Sequence, residues 1–226
     1  MAGAALAALG DVLLLGRRAS GADFDQAVGV VPEHIEADAT WRSLWNGAGL
    51  SRRRIWAGTL CGVVGIPLLA GTGLRASVRA VEPGALRDVS AAAAGAFAVS
   101  GVLTHAACGA VVLAYRREVA TVAGAPATRR PSPGSVTRLL GVSTVVCLGS
   151  LAVMSSCAAI AALSGRSSAP TMSSAASPFP CVGATLLTFG LLPYPLGGYA
   201  RPASISTGLL LHFCFAAASA RLRRRE

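Results

Sequence analysis

Apolar residues gather into six long blocks along this chain, separated by polar stretches rich in arginine, serine, proline and glycine. The blocks are Ala2 to Gly16, Ile55 to Leu74, Val89 to Tyr115, Leu139 to Leu163, about Ser177 to Leu192, and Ala203 to Ala220. A helix rises about 1.5 Å per residue, so about 20 apolar residues cross a hydrocarbon layer about 30 Å thick. The pattern therefore predicts an all-α, polytopic bundle of about six transmembrane helices. The first block is short, with 15 residues, so either the bilayer thins around it or its helix begins upstream of Met1. A cleaved signal peptide fits this block badly, because positive charge should precede the apolar stretch, whereas Arg17 and Arg18 follow it.

The polar stretches 17–54, 116–138 and 164–177 read as loops of a single integral membrane domain covering 1–226. The first holds the acidic residues Asp23, Asp25, Glu33, Glu36 and Asp38, with Trp41 and Trp45 near its end and Trp56 just beyond. Trp41 and Trp45 are four apart and would share one side of a helix. Tryptophan favours the headgroup level, so a short interfacial helix is expected to lead into the second block. The second loop contains GAPATRRPSPGS and the third is rich in Ser, Ala and Pro; both read as linkers. Twelve arginines lie on the side of the loops after blocks one, three and five, and eight on the other. That count points to both termini outside, while the cluster Arg221 to Arg225 points the opposite way.

Composition supports the bilayer as solvent. Hydrophobic residues make up 53% of the chain, charged residues 13%, and mean hydropathy is +0.59. Soluble domains carry about twice that share of charge. The net charge of +10 does not indicate nucleic acid, because the arginines border apolar blocks instead of forming a polar face. The six cysteines contain no C-x-x-C pair and fall within or beside apolar runs, so they read as small buried hydrophobes. The partner that this composition predicts is the lipid bilayer of a cell membrane.

Three polar residues stand at membrane depth. Asp11 is the only acidic residue inside any block, and His105 and His212 lie near the middle of the third and sixth. A charge at the bilayer centre costs about 3 kcal/mol on insertion scales, so such residues usually face protein or water. At helical spacing, Asp11 shares a face with Ala4, Ala7 and Ala8, His105 with Ala98, Gly101, Cys108 and Gly109, and His212 with Ile205, Gly208, Ala216 and Ser219. Stripes of small residues are where membrane helices approach closely, so all three side chains are expected to point into the bundle. The principal expectation is a non-enzymatic protein in which Asp11 and His105 form a buried polar clip. The alternatives are a small proton- or ion-coupled transporter or channel using these residues, and an electron carrier with haem held by His105 and His212. One histidine pair is thin support for haem, and no cofactor or metal is expected.

Gly58, Gly62 and Gly65 mark tight helix packing within the chain, with self-association into a homo-oligomer through the same G-x-x-x-G as the alternative. Gly101 and Gly109 flank His105 in the same sense. In LLPYPLGGYARP, Pro193 and Pro195 would break a helix, and Gly197 and Gly198 would permit a sharp hairpin; a broken helix lining a cavity is the rival. No G-x-S-x-G, H-E-x-x-H or phosphate-binding G-x-x-x-x-G-K occurs, so no catalytic residue is assigned.

Four pieces together resemble a family of multi-pass bacterial membrane proteins classed as a domain of unknown function. They are GDVLLLG (Gly10 to Gly16), RIWAGTLCGVVGIPLLAGTGLRASVRAVEPGA (Arg54 to Ala85), GVLTHAACG (Gly101 to Gly109) and PLGGYARPASISTGLLLHF (Pro195 to Phe213). The resemblance implies a helical integral membrane protein, marks Asp11 and His105 as motif positions, and brings no activity, cofactor or substrate. Members of that family often carry asparagine near Ser206; with serine there, the resemblance does not carry a polar role over to that position.

Overall fold

The computed structural model describes residues 1–16, 44–45, 47–122, 134–167, 178–193 and 196–223. Among them no strand forms, and the one bridge pair, Val81 with Ser167, ties two loops. Every apolar block is helical: α1 (Ala2–Leu15), α2 (Arg52–Arg79), α3 (Ala85–Val122), α4 (Gly134–Leu163), α5 (Pro178–Gly190) and α6 (Ser204–Arg223). Three of them, α2, α3 and α4, are long and apolar enough to cross a membrane. α1 and α5 are shorter apolar helices. α1 has 14 residues and α5 has 13, about 20 Å each, while α6 has 20 residues.

α3 and α4 run past their apolar blocks into the flanks read as loop 116–138. Hydropathy ends where oil would end, but Tyr-Arg-Arg-Glu-Val-Ala remains good helix-forming sequence, and the hydrogen-bond ladder continues through it. α2 carries Pro67 and then one π-helical stretch, Ala70–Leu74, before resuming as Arg75–Arg79. Proline removes a ladder donor, and the extra residue of a π-turn rotates everything beyond it relative to the first part of the helix.

The six helices pack in cyclic order, each against its neighbours in sequence, and α6 closes the circle against α1. One apolar cluster draws on all six, with Ala4 and Ala7 from α1, Leu69 from α2, Phe97 from α3, Leu151 from α4, Val182 from α5 and Leu209 from α6. A second cluster fills the end where α1 stops: Leu14, Trp45, Ile55, Val111, Tyr115 and Leu140.

Residues 44, 45 and 47 are helical, and Trp41 lies outside the described residues. Trp45 is not at an outer surface: it is 1% exposed and meets Tyr115 edge to face, centroids 5.6 Å apart. The headgroup preference of tryptophan applies to lipid-facing rings; here an aromatic partner on α3 draws the indole inside. The hairpin also differs in detail. After Gly190 the chain turns through Leu191–Pro193, and Gly197 and Gly198 then sit buried in a short helical stretch, Leu196–Ala200. Pro195 lies outside the described residues. Gly197 is needed for close approach, since a Cβ there would collide with the Leu192 carbonyl.

Candidate functional site: a polar layer between two apolar clusters

α1 and α2 lie antiparallel with their backbones in contact. A Cβ on Gly10 would stand 2.7 Å from the Gly62 amide nitrogen and 2.9 Å from the Gly58 carbonyl oxygen. The same holds in reverse, with Gly58 against Leu14 and Gly10, and Gly65 against Ala7 and Gly3. Small residues at these positions remove the side chains that would hold the helices apart, so van der Waals contact and polar bonds can join them.

α2 turns a second, overlapping face to α3. Gly109 packs on Thr59, and Gly101 on Ile66, whose Cγ2 would lie 3.1 Å from an added Cβ. Between these two contacts, Gly62 lies against the ring of His105. Gly62 therefore belongs to both interfaces. Its missing side chain leaves the space through which an imidazole on α3 reaches a carboxyl on α1.

The His105 Nε2 stands 3.7 Å from the Asp11 Oδ1. The other carboxyl oxygen, Oδ2, accepts a hydrogen bond of 2.7 Å from the Ser206 hydroxyl on α6. Asp11 thus faces two helices at once. Neither member of the ionisable pair is wholly enclosed, the side chains being 15% exposed for Asp11 and 11% for His105. The group lies between the two apolar clusters: Ala7 precedes Asp11 and Leu14 follows it, while Phe97 precedes His105 and Val111 follows it.

His212 is elsewhere. It is 2% exposed, and its Nε2 stands 3.0 Å from the Ser77 hydroxyl, just past the π-turn of α2. The adjacent Phe213 covers Gly73 within that turn. Asp11 and His105 are therefore brought together, while His212 serves a second contact between α6 and α2. Among the described residues, no group of three His, Cys, Asp or Glu side chains could hold a metal ion. All six cysteines are unbridged.

Two further residues complete the layer. Ser206 is one: the sequence gives no reason to expect a polar role there, but the pairing of α6 with α1 sets its hydroxyl on Asp11 and corrects that expectation. Arg54 is the other. The last carbonyls of a helix lack intrahelical partners; at the end of α1 the Gly16 amide reaches Val12, and this arginine from α2 supplies further donors. Its Nε donates to the Leu13 carbonyl at 2.9 Å, and one terminal nitrogen donates to Val12 at 3.0 Å and also to Gly16. The guanidinium carbon lies 6.0 Å from the centroid of the Tyr199 ring. The detectable signal was a helix ending at a glycine, which brings no side chain to its last carbonyls, followed after a loop by an arginine run.

Fold and site define an all-helical protein in which, among the described residues, three helices are long and apolar enough to cross a membrane and an ionisable pair lies inside the bundle. The chain belongs to a family of unknown function, DUF6796, whose model matches residues 1–222. No curated protein and no solved structure matches it.

Proposed function

We propose that this chain is a multi-pass protein of the cell membrane, with all six helices in or at the bilayer. In this reading it is non-enzymatic, and Asp11, Ser206 and His105 act as a polar clip that fastens α1 to α6 and α3. The single observation that carries the reading is the bond of 2.7 Å from Ser206 to Asp11, made while the other carboxyl oxygen faces His105. In lipid no hydrophobic force drives helices together, so interhelical polar bonds and close backbone contact set the arrangement. The short helices α1 and α5 are accommodated by local thinning of the bilayer.

Asp11→Ala should leave membrane insertion intact, with the chain still pelleting after alkaline extraction, and should destabilise the folded protein. An interhelical hydrogen bond contributes about 1 kcal/mol, which lowers a melting midpoint by about 2–4 °C in a chain of this size. Detergent melts of parent and variant decide this; superimposable curves remove the clip.

A second reading, a small proton- or ion-coupled transporter, is favoured by the residual exposure of Asp11 and His105. It expects a pH-dependent flux in reconstituted vesicles that Asp11→Asn abolishes. Absence of flux in the parent counts against it.

A further inference from the structure

We propose that Asp11 and His105 form a binding site for one exchangeable proton, shared between the Asp11 Oδ1 and the His105 Nε2. The inference rests on the placement of the clip described above and names the ligand that the clip would take.

Three observations carry it. First, the two titratable side chains come from different helices and stand 3.7 Å apart. That is just beyond a hydrogen bond, so side-chain movement of about 1 Å joins them. Second, the groups around Asp11 leave its proton to this partner. α2 presents Gly58 and Gly62, without titratable atoms. α3 adds the Cys108 thiol and α4 that of Cys147, both within electrostatic reach of Asp11. α6 presents Ser206, which donates to Oδ2 and leaves Oδ1 for the imidazole. Among the described residues no arginine pairs with Asp11, and the arginines of α2 and α3 lie toward the helix ends. Third, the apolar clusters on either side disfavour a lone charge. With one proton the pair is neutral overall, whichever group carries it.

The transfer balances simply. With the neutral imidazole protonated on Nδ1, the Asp11 O–H bond breaks and the His105 Nε2–H bond forms. The carboxyl becomes a carboxylate and the imidazole an imidazolium. The electron pair of the broken bond stays on Asp11, and no other reactant is consumed. Ser206 can hold Oδ2 in both states, because a carboxyl and a carboxylate each accept a hydrogen bond there.

Infrared difference spectra of the full chain in lipid nanodiscs, taken between mildly acidic and mildly alkaline suspensions, test the site. The expected result is a carboxyl band that Asp11→Asn removes and that His105→Gln moves or removes. A band that survives Asp11→Asn overturns the proposal. So does a band unchanged by His105→Gln, since the carboxyl then titrates alone. If Asp11→Asn fails to accumulate as folded protein, the parent spectrum and the His105→Gln spectrum decide by themselves. The clip is judged separately by the Asp11→Ala melt. A destabilised Asp11→Ala with no shared band retires the proton site and leaves the clip standing.

Discussion

Replacing Gly62 with valine should lower the melting midpoint of the detergent-solubilised protein by about 6–12 °C. The expectation follows from two close contacts at one position. A side chain at 62 meets the ring of His105 directly, and the Gly62 backbone is already in contact with Gly10 of α1. Backbone cannot yield as the end of a flexible side chain can. The imidazole cannot swing away without leaving Asp11, and α1 cannot retreat without opening the contacts at Gly58 and Gly65 as well. Forcing extra carbons into such a site costs about 3 kcal/mol at the upper end of the usual range, and in a chain of this length that is the stated shift. The control is Gly149→Ala on α4, where an added Cβ meets nothing within 4 Å. There the loss of backbone freedom in the unfolded chain should leave stability equal to the parent or raise it by up to about 1 kcal/mol. Equal melts for Gly62→Val and the parent would mean that α1, α2 and α3 are not packed as described.

The contrast between these two glycines shows what the sequence carries and what it withholds. Hydropathy locates all six helices because each is one continuous apolar stretch, and continuity is a local property. The helix ends are less legible: α3 and α4 continue into arginine-bearing flanks, because oil solubility and helix formation end at different residues. Among the glycines, the spacing of 58, 62 and 65 marks a packing face, yet nothing in it says that Gly62 serves two neighbours while Gly149 serves none. That depends on which helices meet. The polar layer behaves in the same way. Asp11 and His105 stand out because ionisable groups are rare in apolar helices. Ser206 does not, since serine is common there, and its bond to Asp11 spans 195 residues of chain. Trp45 misleads for a related reason: a bulk preference for the interface gives way to one specific aromatic partner, Tyr115.

Arg54→Ala should be nearly as damaging as the change at Gly62, through a different cause. α1 ends at Leu15, where the Gly16 amide bonds the Val12 carbonyl, and the guanidinium of Arg54 adds bonds to the carbonyls of Val12, Leu13 and Gly16. Hydrogen bonds from a charged donor are worth about 1.5–3 kcal/mol each, although Val12 keeps its bond from the Gly16 amide in the variant. Some of the carbonyls in the variant will recruit water, so a net destabilisation of about 3 kcal/mol is expected. Arg54→Lys should recover only part of it. An ammonium is a compact charge that cannot present the fork of a guanidinium to Val12, Leu13 and Gly16 together, and it stacks less well on Tyr199. The order of melting midpoints should therefore be parent, then Arg54→Lys, then Arg54→Ala. Amide hydrogen exchange adds the positional evidence, with the last turn of α1 losing protection before α3 or α4 does. Because Asp11 sits one residue before the first of these carbonyls, fraying of that turn should also loosen the carboxyl from Ser206 and His105. Arg54→Ala and Asp11→Ala should then be non-additive, the double variant falling short of the sum of the two losses. Full additivity would show that the arginine holds the end of α1 without positioning its carboxyl.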